Sequence, residues 1–256
     1  MNTSIEATFT PADFNALAAR DLGETTCVVF DILRATTSMN AALANGAEAV
    51  IPVATIEDAI ALRLSRPGVL LAGERGGVRI RADVSGGTDF DLGNSPREFT
   101  ADVVEGKTIV STTTNGTRAL RACCGARHVL IASFQNLRAV AAWIESQGVQ
   151  KLVLVCAGTE EEAAYEDVVG AGALMDMVGP MFFTGHVSDS AEMARQTYRH
   201  VQRDLLSAMQ YSRNGRRLLS MPELAEDVRF CMQRETVTLV AGMDGEGAIR
   251  VIQQGG

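Results

Sequence analysis

The sequence predicts an α/β protein in which a mainly parallel, mixed sheet lies between two layers of helices. Short β-rich runs alternate with Ala-rich helical segments through most of the 256 residues. The β-rich runs are mostly apolar rather than alternating, which is typical of parallel strands buried on both faces. No segment rich in Pro or Ser divides the chain. Residues 1–256 are therefore interpreted as a single domain with a three-layer α/β/α architecture.

Strands and helices are predicted to alternate in the order TCVVFD, SMNAALANGA, AVIPV, IEDAIALRLS, GVLLAGE, KTIVST, TRALRACCGA, HVLIAS, LRAVAAWIESQG and KLVLVCAG. After Ala171 the pattern becomes mainly helical. The C-terminal TVTLVAGMDGEGAIRVI has two β-like runs around a Gly-rich turn, and we expect it to add an antiparallel pair at an edge of the sheet. Residues 81–89, RADVSGGTD, are predicted to form a flexible surface excursion.

Composition limits the classes of partner. The formal net charge is -8, with 31 acidic and 23 basic residues and no long basic run, which argues against nucleic acid or an anionic membrane. The five cysteines lack C-x-x-C spacing and are interpreted as reduced thiols. The N-terminus has no apolar signal region, and no apolar run is long enough to span a membrane. The sequence therefore predicts a cytoplasmic protein, with a modest preference for a homodimer.

Four polar segments directly follow predicted strands: DILRATT, GERGG, STTTNGT and CAGTEEE. In open parallel sheets the ligand crevice lies beyond the carboxyl ends of the strands. We therefore expect these four loops to meet at one edge of the sheet.

The first polar segment brings a carboxylate and a guanidinium group to the start of a helix. Asp31 ends a strand, and Arg34, Thr36 and Thr37 lead into the helix. Free N–H groups and hydroxyls at a helix start can bind an anion. Simple N-capping is the alternative, but it needs a single hydroxyl and explains neither Asp31 nor Arg34. An anion site is favoured.

The STTTNGT segment repeats this arrangement after another strand. Its residues Thr114, Asn115, Gly116 and Thr117 combine hydroxyls with an Asn-Gly pair that permits a concave nest of amides. The segment lacks the spacing of a phosphate-binding Walker loop. A plain polar turn is an equal alternative for this segment alone, and the similar DILRATT segment favours an anion cradle.

Two further loops carry acidic residues. Glu74 and Arg75 lie in a Gly-flanked turn, for which a salt-bridged surface turn is the alternative. Asp91, Asn94 and Ser95 precede Pro96, where an Asx turn before a helix is the alternative.

Glu166 and Asp167 precede a Gly-rich helical run, whereas the triple Glu at 160–162 is interpreted as a solvated surface. Oxygen ligands without a His or Cys cluster favour Mg²⁺ over zinc.

These loops together resemble the 2-phosphosulfolactate phosphatase family, the Mg²⁺-dependent phosphatases associated with coenzyme M biosynthesis. The similarity rests on segments in the family's order: DILRATTSMNAALANGA, GERGG, FDLGNSP, STTTNGTRAL, CAGT with EDVVGAGA, and a weaker SRNGRRL followed by EDVRFC. They cover about residues 27–231. Residues 81–89 look like an insertion relative to the family, one that reshapes the rim of the pocket.

The resemblance implies hydrolysis of a small anionic phosphate ester of a 2-hydroxy acid, 2-phosphosulfolactate, to sulfolactate and phosphate. Asp31 and Arg34 are the predicted catalytic residues, and Asp31, Glu74 and Asp167 are the predicted Mg²⁺ ligands. The residues predicted to bind the substrate are Thr36, Thr37, Arg75, Asn94, Ser95, Thr114, Asn115, Gly116 and Thr117.

Other interpretations stay open at this point. Attack on phosphorus by Asp31, giving an aspartyl phosphate, and attack by metal-activated water are both possible mechanisms. A lyase or isomerase acting on a phosphate-bearing ligand could use the same anion cradles. A non-catalytic metabolite sensor is a third alternative, although the acidic residues Asp31, Glu74, Asp91 and Asp167 would repel an anion unless a cation mediates.

Overall fold

The computed structural model describes residues 3–253 and has a large, mostly parallel sheet with helices on both faces, which confirms the predicted α/β/α class. The strands are β1 (Ser4–Thr8), β2 (Thr25–Phe30), β3 (Ala49–Pro52), β4 (Leu70–Arg75), β5 (Val78–Arg79), β6 (Thr108–Thr112), β7 (His128–Ala132), β8 (Lys151–Cys156), β9 (His186–Val187), β10 (Val240–Met243) and β11 (Ile249–Gln253).

The helices are α1 (Phe14–Ala18), α2 (Ala35–Ala44), α3 (Ile56–Ser65), α4 (Ala82–Ser85), α5 (Ala101–Val104), α6 (Gly116–Ala122), α7 (Leu137–Ser146), α8 (Tyr165–Val178), α9 (Asp189–Val201), α10 (Leu205–Ala208), α11 (Arg213–Leu219) and α12 (Pro222–Cys231). Local chemistry sets several of their starts: the Thr55 hydroxyl accepts the Asp58 N–H at 3.0 Å ahead of α3, for example. Across residues 3–253, none of these helices combines the length and apolar character that a membrane crossing requires.

The sheet contains two groups of parallel strands. Its strand order is β5-β4-β6-β3-β11-β10-β7-β2-β8-β1-β9. Strands β4, β6 and β3 are parallel to one another, as are β7, β2, β8, β1 and β9. The hairpin of β10 and β11 joins the two groups through antiparallel pairings at Ile249–Val50 and Gly242–Leu130.

The C-terminal hairpin was predicted at an edge of the sheet, and that position is wrong. The hairpin forms, but it occupies the centre, because its buried apolar residues Val240, Ala241 and Ile249 need cover on both sides. A central position supplies that cover and pairs both strands of the hairpin.

Strands of one parallel group run in the opposite direction to strands of the other, because three antiparallel pairings separate β3 from β7. The crossovers β2-α2-β3 and β6-α6-β7 each start in one group and end in the other. In a flat sheet the carboxyl ends of β2 and β6 would point in opposite directions, and the polar loops that follow them would lie far apart. Strand twist accumulates across so many strands, and the contacts described below show that these loops meet.

Alternating strand residues anchor the loops on a packed core. Val28 and Phe30 of β2 face the layer of α7 and α8, while Cys27 and Val29 face the layer of α2 and α6. Helix α8 packs closely on this strand, since a Cβ on Gly170 would lie 2.9 Å from Ile32 Cδ1. The loop that begins at Asp31 therefore rests on a rigid base.

The stretch 81–89 contains the short helix α4, which is closed by local hydrogen bonds. Asp89 accepts the Ala82 N–H at 2.9 Å, and the Ser85 hydroxyl accepts the Thr88 N–H at 2.9 Å. In the structure as described, none of these nine residues lines the polar cavity that Asp31 and Glu74 line, which is described below. The stretch therefore does not form the rim that the sequence comparison predicted for it.

Candidate active site

A polar cavity of about 200 Å³ lies where the two strand groups meet. Of the residues predicted for the site, it is lined by Asp31, Arg34, Glu74, Asn94, Thr114 and Asn115. The other lining residues are Leu33, Gly76, Gly77, Thr113, Thr159, Glu160, Arg213, Asn214, Arg217 and Leu218. The loops after β2, β4, β6 and β8 therefore meet as predicted, although the carboxyl ends of β2 and β8 point in the opposite direction to those of β4 and β6.

The loop after β2 holds its carboxylate by backbone contacts. Asp31 Oδ1 accepts the Ala35 N–H at 3.0 Å. Asp167, at the start of α8, accepts the Ile32 N–H at 2.8 Å and the Gly158 N–H at 3.1 Å. Asp167 does not line the cavity and instead ties the loop after β2 to the loop after β8.

The threonines of the same loop do not reach the cavity. The Thr36 hydroxyl donates to the Asp31 carbonyl at 3.0 Å, and the Thr37 hydroxyl donates to the Ile32 carbonyl at 2.9 Å. Both side chains are buried. The substrate-binding role predicted for Thr36 and Thr37 does not agree with these contacts, because their hydroxyls are used in bracing the loop itself.

Glu74 connects the loop after β4 with the loop after β6. Its Oε2 accepts the Gly77 N–H at 2.7 Å, and its Oε1 accepts the Thr114 N–H at 3.1 Å and the Thr114 hydroxyl at 2.8 Å. Two backbone amides therefore fix this carboxylate at the wall of the cavity.

The segment from Thr113 to Thr117 has buried polar atoms that lack partners. Thr113 Oγ1, Asn115 Oδ1 and Thr117 Oγ1 are inaccessible to solvent and make no hydrogen bond within the described part of the chain. Buried polar atoms are satisfied in the great majority of cases. Three such atoms in five residues point to a ligand that completes them.

Gly116 brings this segment against the loop after β2. A Cβ at Gly116 would lie 2.9 Å from both Asp31 Oδ2 and Ala35 Cβ, so a larger residue would force the two loops apart. Gly116 does not line the cavity itself. Its contribution is the close approach of the backbone to Asp31 rather than contact with the substrate.

A buried ion-pair network orients the Arg34 guanidinium. Arg34 Nη1 donates to Asp227 Oδ2 at 2.5 Å, and Nη2 donates to the Gly77 carbonyl at 2.6 Å. Asp227 also accepts the Ser95 hydroxyl at 2.6 Å and Arg97 Nε at 2.7 Å. Ser95 thus binds Asp227 rather than lining the cavity.

Sequence reasoning missed Asp227 as a site residue. It lies on α12, far along the chain from the polar loops, and the EDVRFC segment was its only signal.

Helix α11 contributes cavity residues that were also missed. Arg213, Asn214 and Arg217 line the cavity, and Asn214 Nδ2 donates to Glu166 at 2.7 Å and to Thr159 at 2.6 Å. The weak SRNGRRL segment contains all three residues. Their helix is placed over the cavity by tertiary packing, which no local pattern reveals.

Burial raises the pKa of Asp31 to about 6. The nearby Glu74 and Glu166 carboxylates also raise this pKa, whereas the hydrogen bond from the Ala35 N–H lowers it. Burial also raises the pKa of Asp167 well above its usual range, and Glu166 and Asp31 add to the effect. The carboxylates near Asp31 thus disfavour one another's ionised forms. A bound cation would relieve this repulsion.

The donor atoms at the cavity fit Mg²⁺. Proteins usually hold this ion through one or two carboxylates, with waters and substrate phosphate completing the shell. Asp31 and Glu74 supply two such carboxylates. Within residues 3–253 there is no ready-made cluster of three His, Cys, Asp or Glu side chains for a metal. Asp91 lies elsewhere, where it pairs with Arg63 and accepts the Leu71 N–H.

Arg75 points away from this cavity. Its guanidinium donates to the Glu74 carbonyl at 2.7 Å and to the Thr112 hydroxyl at 3.2 Å, and it lines a neighbouring cavity with Thr117. The substrate contact predicted for Arg75 would require its side chain to reach past Thr113 and Thr114, which line both cavities.

Comparison with known proteins identifies the family of this chain. The family model described as 2-phosphosulpholactate phosphatase matches residues 13–246. A protein of Caldanaerobacter subterraneus named probable 2-phosphosulfolactate phosphatase is 38% identical over 94% of this chain and 96% of its own length. Similarly named proteins are 35% identical in Caldicellulosiruptor saccharolyticus, over 86% of this chain and 89% of theirs, and 38% identical in Thermotoga petrophila, over 85% and 90%. The chain belongs to the 2-phosphosulpholactate phosphatase family.

Proposed function

We propose that this protein is an Mg²⁺-dependent phosphatase that hydrolyses 2-phosphosulfolactate to sulfolactate and phosphate. The observation that carries the proposal is that Thr113 and Asn115, which line the same cavity as Asp31 and Glu74, each have a buried side-chain oxygen without a partner in the described part of the chain. A phosphate oxygen can accept the Thr113 hydroxyl, whereas Asn115 Oδ1 is itself an acceptor and would be satisfied by a metal ion or a metal-bound water. The names of the relatives support the choice of substrate.

The charges of the cavity suit an anionic substrate only with a cation present. Asp31, Glu74 and Glu160 are acidic, and Arg34, Arg213 and Arg217 are basic. Asp31 and Glu74 would hold Mg²⁺, which when bound offsets negative charge on the phosphoryl group. The arginines would then face the acid groups that distinguish this substrate from a simple phosphate ester.

Arg34 is suited to the phosphoryl group because its position is fixed from behind. Asp227 and the Gly77 carbonyl hold its guanidinium, so little side-chain entropy is lost when a ligand binds. Arg217 reaches the cavity from α11 and lies against Gly77. We assign the phosphoryl group to Arg34, and the carboxylate and sulfonate to Arg217 and Arg213, which can each bind an acid group bidentately.

Direct attack of water on phosphorus is the mechanism we favour. Phosphatases that form an aspartyl phosphate need a second acid or base close to the nucleophile, and the residue two positions after Asp31 is Leu33, which itself lines the cavity. Acid quenching during turnover of substrate that carries a radiolabelled phosphoryl group distinguishes the two routes. Direct attack leaves no label on the protein, whereas an aspartyl phosphate would leave label on Asp31 that hydroxylamine removes.

The substrate and metal are tested by release of inorganic phosphate from 2-phosphosulfolactate, 2-phospholactate and a simple alkyl phosphate, each with Mg²⁺ and with a chelator. We expect release from 2-phosphosulfolactate to be fastest and to require Mg²⁺. Conversion of the ligand without phosphate release would instead indicate a lyase or isomerase. Tight binding without any conversion would indicate a sensor.

A further inference from the structure

A second cavity, of about 290 Å³, lies on the other side of the Thr113–Thr114 segment. It is lined by Ala54, Arg75, Thr113, Thr114, Thr117, Arg118 and Arg121. Three guanidinium groups therefore share one concave surface, and among the described residues no carboxylate lines it. Such a surface carries positive charge in a protein whose net charge is -8.

The three arginines converge from two elements. Arg75 extends from the end of β4, where the Glu74 carbonyl and the Thr112 hydroxyl hold it in place. Arg118 and Arg121 are three residues apart on α6 and thus lie on one face of that helix. Arg118 also pairs with Glu161 at 3.0 Å, but both side chains are about half exposed or more, and such pairs are weak. Arg118 is therefore able to exchange Glu161 for an anion.

Thr117 gives an independent sign of a ligand. It is only 2% exposed, and it lines this cavity but not the catalytic one. Its hydroxyl has no hydrogen-bond partner within residues 3–253. Rotation about the Cα–Cβ bond of Thr117 can turn its hydroxyl to donate to an oxygen atom of an anion held by the arginines.

We infer that this cavity is a second oxyanion site, distinct from the catalytic cavity, that takes a small tetrahedral dianion such as inorganic phosphate or sulfate. The geometry of three guanidinium groups and a hydroxyl suits four oxygen atoms around one centre. The inference goes beyond the proposed function and does not depend on which ester is hydrolysed.

The second site is coupled to the catalytic cavity through shared residues. Thr114 lines both cavities, and its N–H and hydroxyl hold Glu74. Arg75 holds the Glu74 carbonyl from the other side. An anion on the arginines therefore acts on the backbone that positions a proposed Mg²⁺ ligand, so its occupancy changes the KM for Mg²⁺.

Calorimetric titration of sulfate into the full chain tests the inference, with Arg121→Ala as the main variant. We expect the variant to bind sulfate about tenfold more weakly, as for the loss of one charge-assisted hydrogen bond. Glu161→Gln should strengthen binding about twofold because it releases Arg118. Arg66→Ala, at an exposed position at the end of α3, is the matched control and should bind as the unaltered protein does.

A crystal soaked in tungstate locates the anion, since tungsten gives a strong anomalous signal. A peak among Arg75, Arg118 and Arg121 supports the inference. Equal sulfate affinity in Arg121→Ala and in Arg66→Ala, or a peak confined to the catalytic cavity, would overturn it. Neither result depends on phosphatase activity, so failure of this inference is separate from failure of the proposed function.

Discussion

Two loops of this protein have similar sequences and similar positions but use their hydroxyls differently. Residues 31–38 and 113–117 both follow a strand, contain several hydroxyl side chains, and start a helix that crosses to the other strand group. In the first loop, the hydroxyls of Thr36, Thr37 and Ser38 all donate to backbone carbonyls. In the second loop, those of Thr113 and Thr117 are buried without partners.

The difference shows that composition alone does not identify a ligand-binding loop. The first loop uses these hydroxyls in hydrogen bonds to backbone carbonyls and presents Asp31, Leu33 and Arg34 to the cavity. The second loop has polar atoms that the protein leaves unsatisfied, and buried groups of this kind are costly unless something binds them. A count of hydrogen-bond partners separates a structural loop from a binding loop.

The largest expected effect tests whether the first loop acts through its charge. Asp31→Asn keeps the size of the side chain and an oxygen that can accept the Ala35 N–H. We expect kcat to fall by about three orders of magnitude, the scale of losing a group that acts on the reacting atoms. Steady-state phosphate release with saturating Mg²⁺ measures it. A loss below tenfold would show that Asp31 is not part of the reaction.

A second variant tests whether the first loop depends on support from a distant helix. Asp227→Asn weakens the network that holds Arg34, Ser95 and Arg97, and leaves buried positive charge less well paired. We expect kcat/KM to fall about a hundredfold, with a lower Tm. Asp227→Glu should recover part of the activity. If Asp227→Asn lost stability but kept full kcat/KM per folded molecule, its role would be structural only.

A matched pair of variants tests the comparison directly, because Thr→Val removes a hydroxyl with little change in shape. Thr113→Val loses no hydrogen bond in the free protein and removes an unsatisfied buried hydroxyl, so we expect an equal or higher Tm and about tenfold lower kcat/KM. Thr37→Val loses its bond to Ile32, and we expect about 1 kcal/mol less stability with kcat/KM within about twofold. Denaturant unfolding and phosphate release give both numbers. The reverse result would refute the distinction between the two loops.

The smallest expected effect concerns pH and the metal-free protein. Because the folded protein raises the pKa of Asp31 to about 6, it favours the protonated form more than the unfolded chain does. This group therefore lowers stability as pH rises from about 4 to about 6, and the loss persists above that range. We expect Asp31→Asn to raise Tm by about 3 °C or more at pH 8 in a chelator and much less at pH 4. Equal Tm differences at both values would contradict the assignment.

Hydrophobic pattern predicted most of the fold because it reports local structure. The strands β2 to β4 and β6 to β8, with the helices between them, follow from apolar runs and helical spacing. The position of the C-terminal hairpin did not follow, because it depends on which strands offer free edges after the rest has folded.

The site was predicted in part for the same reason. Residue chemistry identified a set of residues that line the cavity: Asp31, Arg34, Glu74, Thr114 and Asn115. It could not show that Thr37 turns back onto its own loop, since hydroxyl direction is set by the backbone around it. Nor could it bring Asp227 and Arg217 to the cavity, because distant helices reach it only through tertiary packing.

Because the crossovers β2-α2-β3 and β6-α6-β7 connect the two strand groups, the cavity residues are brought together late in the synthesis of the chain. A nascent chain that has completed β2 and α2 has Asp31 but lacks the segment of Thr113, and it meets Asp227 only when α12 has been synthesised. The central hairpin, which follows β1 to β9 in the chain, then locks the two groups together. The cavity is therefore incomplete in any chain that stops before α11, and the network that orients Arg34 is incomplete in any chain that stops before α12.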